Sequence, residues 1–127
     1  MTGFPPAVKA IMRRRSGGLC EVCGRAVATD FHHRRPRGAG GTSVAWVNLP
    51  ANGLHICRGC HDRIEGRFPA YSRRAAMAQG FLISLSGRGA DTIPVRYRGR
   101  LVTLDNEGNS PEAGNEDWKP FHGDGRA

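Results

Sequence analysis

The chain has 127 residues, a formal net charge of +8 and a sequence pI near 10.4. That length suits one domain with one modest core rather than a multi-domain enzyme. Hydrophobic residues make up 39% of the chain, and no apolar run approaches the roughly 18 residues of a membrane span, so the sequence predicts no membrane association. Met1 to Arg15 carries neither the apolar stretch nor the small-residue cleavage site of a secretory signal. A reducing, cytoplasmic compartment is therefore expected. There, four cysteines read as metal ligands before disulfides.

In chain order, the first expected element is a short basic helix from Pro6 to Arg15, with Ala7, Ile11 and Met12 as a weak apolar face. Ser16-Gly17-Gly18 ends it. Cys20 to Arg25 reads as a tight knuckle and Ala26 to His33 as a short strand. Arg34 to Gly53 contains Pro36, Gly38, Gly40, Gly41 and Pro50, and reads as a long loop of the kind that carries function. Leu54 to Ile56 follows as a strand. A helix is expected from Cys57 to Arg67, stopped by Pro69, and another from Ala70 to Gly80. Phe81 to Leu85 reads as a strand. Ile93 to Leu104 reads as a hairpin turning at Gly99. Gly108 to Ala127 is rich in Gly, Asn, Pro and acids and reads as a poorly ordered tail. The organisation is thus a basic segment (1–17), a core (18–68), a helix-plus-hairpin extension (69–107) and a tail (108–127).

The positive charge is unevenly placed. Residues 1–90 carry 14 Lys+Arg against 4 Asp+Glu, whereas residues 91–127 carry 5 against 7. Nearly every base is arginine, which holds phosphate oxygens bidentately and stays charged. A small basic body of this kind predicts a polyanionic partner, most simply nucleic acid.

The cysteines give the sharpest signal. Cys20-x2-Cys23 and Cys57-x2-Cys60 lie 33 residues apart and supply the four thiolates of a tetrahedral structural zinc site. Such a site has no open position, so its metal holds the fold and does no chemistry. A redox pair or two disulfides are the alternatives. His32-His33 lies between the pairs, and His61 directly follows the last cysteine. Strand alternation sends His32 and His33 to opposite faces, which predicts different roles. The bland alternatives are a spare zinc ligand at His61 and plain phosphate contacts at His32 and His33.

Cys-x2-Cys, then His-His, then a Gly-rich stretch with Asn, then Cys-x2-Cys-His resembles the HNH endonuclease family. The resemblance rests on Cys20, Cys23, His32, His33, Pro36, Gly40, Gly41, Asn52, Cys57, Cys60 and His61, and covers about residues 18–67. It implies an α+β fold: a small zinc-stabilised ββα-metal core, treble-clef-like, with a C-terminal β-hairpin beyond it. It makes His32 and His61 ligands of a catalytic divalent cation and His33 the general base that activates water. It makes a motif asparagine the residue that pins the loop and helps orient His33. Asn52, nine residues before His61, is the preferred candidate; Asn48, 15 after His33, is the other. Glu65 lies one helical turn after His61 and is a candidate third ligand, or simply an exposed carboxylate. His55 and His122 are assigned no function.

Phosphodiester hydrolysis needs a base, charge neutralisation and a stabilised leaving group. A histidine near its ordinary pKa suits the first task, and a divalent cation the other two. Mg²⁺ is the expected cation; Mn²⁺, Ni²⁺ and Zn²⁺ also suit two imidazoles. Arg34, Arg35 and Arg37 leave the histidine pair directly, and Arg58 and Arg63 come from the following helix. All five are candidate phosphate contacts on double-stranded DNA, with solvated surface charge as the alternative. The segments Gly80 to Ile83 and Ile93 to Gly108 are similar to the end of short stand-alone HNH proteins of actinobacterial phages and prophages. That similarity implies a bacterial host cell and a phage terminase as a packaging partner. Two functions remain in view: a metal-dependent DNA endonuclease, cutting or nicking with low sequence specificity, and a non-catalytic zinc-knuckle module that binds DNA or the terminase. His33 and His61 separate them, because a pure binding module needs neither.

Overall fold

The computed structural model describes residues 3–36, 45–67, 69–83 and 89–113. Among these the protein is a small α+β molecule with three α-helices and two two-stranded antiparallel sheets. No described helix is long and apolar enough to cross a membrane.

Helix α1 (Pro6–Ser16) starts with proline in its first turn, where a missing N–H costs nothing. It ends on Gly17 at φ 66°, whose N–H bonds to the Arg13 carbonyl. Arg13, Arg14 and Arg15 fill its last turn, matching the negative end of the helix dipole. Strand β1 (Asp30–His33) is shorter than the expected Ala26–His33. It pairs with β2 (Gly53–Ile56) in the register Asp30↔Ile56, Phe31↔His55, His32↔Leu54 and His33↔Gly53. Helix α2 (Arg58–Ile64) follows at once, with Cys57 as its N-cap: the sulfur accepts from the Cys60 N–H. Helix α3 (Arg73–Ala78) is capped by the Ser72 hydroxyl. Strands β3 (Val95–Tyr97) and β4 (Arg100–Val102) form the expected hairpin, turning through Arg98 and Gly99.

Leu54, Ile56, Ile64, Ala76, Phe81, Ile83, Val95, Val102 and Leu104 make one continuous core beneath both sheets. Helix α1 packs over β2, and glycine at position 53 is what lets it approach. A Cβ there would clash with Met12 and lie 2.8 Å from Phe4 Cζ. Arg15 and Glu21 are both buried and form a two-pronged ion pair (2.6 and 2.7 Å). Glu21 also accepts from the Tyr97 hydroxyl and the His55 N–H. This network ties α1, the knuckle, β2 and β3 together.

Three expectations need correction. Phe81, Leu82 and Ile83 form no strand; their backbone serves other partners, with the Ile83 N–H bonded to the Arg34 carbonyl, and the rest of the expected strand falls within 84–88, outside the described residues. Gly108 to Ala113 is not loose: Thr103 N–H bonds to Pro111 O, Ala113 N–H to Leu101 O, and the Asp105 carboxylate caps the intervening turn. The remaining tail, 114–127, lies outside the described residues. Helix α3 is also shorter than Ala70–Gly80, beginning only after its serine cap.

Candidate functional site

Two clusters of metal-ligating groups stand on neighbouring parts of the fold. Cys20, Cys23, Cys57 and Cys60 bring four sulfurs within 4.8 Å of one another, so the cluster can hold a structural metal ion. Backbone N–H groups of Val22, Cys23, Arg25 and Cys60 each point at a cysteine sulfur at 3.4 Å, as thiolates require. Burial and crowding by the other sulfurs push the Cys57 and Cys60 thiols up. A bound cation reverses that balance and leaves all four deprotonated.

The second cluster is His32, His61 and Glu65, whose ligand atoms also lie within 4.8 Å of one another. Alternation along β1 puts Asp30 and His32 on the face toward α2, and Phe31 and His33 on the other. The His32 Nε2 donates to the Phe81 carbonyl at 2.7 Å, which leaves the lone pair on Nδ1. Burial holds the His32 imidazole far below its ordinary value, at about 4, despite that hydrogen bond, so it is neutral and ready to ligate at neutral pH. The His61 Nδ1 donates to Asp30 Oδ2 at 2.8 Å, which turns the Nε2 lone pair toward Glu65 Oε2, 3.4 Å away. Two imidazole nitrogens and a carboxylate oxygen are a donor set that fits a divalent cation.

His33 lines the same cleft as His32, His61, Glu65 and Pro36. Its Nε2 donates to Asn48 Oδ1 at 2.7 Å, placing the lone pair on Nδ1. The ring of Phe4 lies flat against it, 3.9 Å between centroids at 7°. The two candidate asparagines divide the expected role. Asn52 is fully buried and pins the loop: its carbonyl accepts from the Arg35 N–H, and its amide donates to the Val47 and Arg35 carbonyls. Asn48 makes the contact to the His33 ring.

The arginines fare unevenly. Arg34, contrary to expectation, is not placed to contact phosphate: it is fully buried and bonds the carbonyls of Gly80, Ala51, Ala90, Ile93 and Pro94. Arg35 is half-buried beside Trp46. Arg58 is exposed and pairs with Asp30 and Asp62, and Arg63 is exposed and lies over the Tyr71 ring. Arg37, with Gly40 and Gly41, lies outside the described residues. His55 is buried, bonded to the Ser16 hydroxyl at 2.8 Å and stacked on Phe31.

Asp30, bonded to His61, is the residue of this cluster that sequence reading missed. Burial alone would raise its carboxyl. Hydrogen bonds from His61 and Thr29 and the nearby Arg58 outweigh that and hold it below the usual value. Its signal was its place two residues before His32, on the same strand face. A carboxylate behind a ligating histidine fixes the tautomer and raises basicity. Asp30→Asn is therefore expected to weaken Mn²⁺ or Ni²⁺ binding at the histidine cluster by about 10- to 100-fold in calorimetric titration, with the cysteine-bound metal retained.

The lowered His32 and His55 values also fix an acid limb of stability. The unfolded chain takes up these protons near about pH 6.5, whereas the folded protein resists them. Stability is full above that pH and falls as pH drops toward 4. Urea midpoints measured at about pH 7 and about pH 5 are expected to show the loss.

Comparisons with family models, with curated proteins and with solved structures return no match for this chain.

Proposed function

We propose that the protein is a metal-dependent DNA endonuclease of the HNH type, with a structural zinc on its four cysteines and a ββα-metal core formed by β1, β2 and α2. One observation carries this reading. The His32–His61–Glu65 cluster shares a cleft with a separately held histidine, His33, whose tautomer is fixed by Asn48. A zinc-knuckle binding module has no use for a second ligand cluster beside a positioned base.

In this reading His32, His61 and Glu65 hold the catalytic cation. When bound, that cation neutralises the phosphate and stabilises the departing 3′ oxygen. The residues do the rest. His33, through Nδ1, takes a proton from water as the water oxygen attacks phosphorus. The P–O3′ bond breaks and the departing 3′ oxygen takes a proton from solvent water, leaving 5′-phosphate and 3′-hydroxyl ends, while His33 releases its proton to solvent. Asn48 and Phe4 hold the His33 ring in plane, and Asn52 holds the loop that carries Asn48. Asp30 holds His61. Arg35 and Arg58 stand near enough along the chain to steady the phosphates on either side. Low sequence specificity is part of this proposal. The test is conversion of supercoiled plasmid to nicked or linear forms with Mg²⁺, Mn²⁺ or Ni²⁺, and its arrest by chelator.

A further inference from the structure

A second cleft opens beside the cysteine cluster, lined by Arg25, Arg63, Arg98 and Tyr71 together with Cys23 and Cys60. Among the described residues no carboxylate lines it. Three other exposed arginines have carboxylate partners: Arg58 has Asp30 and Asp62, Arg67 has Asp62, and Arg100 has Glu112. Among the described residues Arg25, Arg63 and Arg98 have no such carboxylate. Arg98 is fixed by the carbonyls of Ser16, Leu19 and Cys20, and Arg63 is held over the Tyr71 ring 4.3 Å away. Two of the three guanidiniums are thus preorganised. Four thiolates around one divalent ion would keep a net charge of −2, shared with four backbone N–H groups, so three guanidiniums exceed the charge left to them.

The cleft also has a definite place relative to the histidines. On α2, Arg63 stands about 200° round from His61, and Glu65 falls on the His61 side. The arginine cleft and the histidine cleft therefore flank α2 on opposite sides. A helix about 10–12 Å across fits between the two backbones of a duplex groove. We infer that the arginine cleft takes a backbone phosphate of duplex DNA, on the strand opposite the one presented to the histidine cleft. This rests on the nuclease reading for its partner, but not for its test.

The test uses the full chain carrying His33→Ala, so that cleavage does not intrude, with and without Arg25→Gln plus Arg63→Gln. Binding to a labelled duplex and to one of its single strands is followed across a salt series, with zinc content measured for each protein. The double variant is expected to flatten the duplex salt dependence by about 0.9 in logarithmic slope, a roughly 8-fold change over one decade of salt. It is also expected to lose the preference for duplex over single strand, because only a duplex fills both clefts. Arg100→Gln, away from both clefts, is the control and leaves binding unchanged. Unaltered duplex affinity and slope would overturn the inference, as would inorganic phosphate binding the cleft without any effect of the double variant on duplex binding. Loss of zinc from the double variant would also overturn it, by assigning these arginines to the metal centre. A protein that binds duplex through the arginines but never cuts, with His33 intact, would cost the nuclease reading and leave this one standing.

Discussion

Stripping the metal from the four-cysteine cluster is expected to unfold the protein. Cys20 and Cys23 sit on the knuckle, and Cys57 and Cys60 on the start of α2. A metal ion held by the four cysteines would join these two parts directly. Helix α2 has only seven residues, far below the length at which a helix holds in water alone. Its N-cap, Cys57, belongs to the four-cysteine cluster, so losing an ion held there would also loosen the cap. Both sheets are two-stranded, with strands of three or four residues, and a pair of strands that short is marginal without packing. Structural zinc contributes about 10–16 kcal/mol to folding in small domains, against a typical total stability of about 5–15 kcal/mol. A strong chelator, or Cys60→Ser, should therefore abolish the far-ultraviolet dichroism of the folded state, and zinc should restore it after chelation. His61 follows Cys60 in the chain, so the histidine cluster is lost with the fold. His32→Ala, in contrast, should keep the fold and one equivalent of zinc. A chelated protein that kept its dichroism and its cooperative melt would contradict this account of the cysteines.

Replacing Arg34 should also be strongly destabilising, though less so than metal loss, for a reason unconnected with DNA. Its guanidinium N–H groups meet five backbone carbonyls drawn from the turn before β2, the end of α3 and the segment before β3. Gly80, one of those acceptors, sits at φ 80°, and the Pro94 carbonyl and Val95 Cα occupy the space where a side chain would go. Burial pulls the guanidinium down to about 9, yet it stays charged at neutral pH. Arg34→Met removes the donor set and leaves buried carbonyls unpaired, at a cost on the order of 3–5 kcal/mol. Arg34→Lys keeps the charge but offers three donors from one point and cannot span the same carbonyls. Both are expected to lower the urea midpoint sharply, the methionine variant more. Arg58→Gln, at an exposed ion pair, should change stability by no more than about 0.5 kcal/mol. Equal stability of the Arg34 and Arg58 variants would contradict the role assigned to Arg34.

The four-cysteine cluster was readable because the spacing of two x2 pairs carries it, whereas the grouping of His32 with His61 rested on the resemblance of the whole motif. Two x2 turns, a strand before the histidine pair and a helix after the last cysteine leave little freedom. The arginines were not readable in this way. Charge density says that a face is basic, but not that Arg15 and Arg34 point inward to Glu21 and to carbonyls far along the chain. Asp30 needed only the strand alternation already applied to His32 and His33. The division of labour between Asn48 and Asn52 depends on where a loop folds back, which local sequence does not encode. Phe81 to Ile83 has the composition of a strand, but its backbone groups are claimed by Arg34 and His32, a tertiary demand that overrides propensity.

The most direct measurement is plasmid cleavage by the wild-type protein and by His33→Ala, each at one equivalent of zinc and in the same Mn²⁺ or Mg²⁺ concentration. Metal-dependent cutting by the wild type is expected, with a rate about 10²- to 10⁴-fold lower in the variant and DNA binding unchanged. Equal cutting by both proteins would remove His33 as the base. Binding without cutting by the wild type under every metal would contradict the nuclease itself.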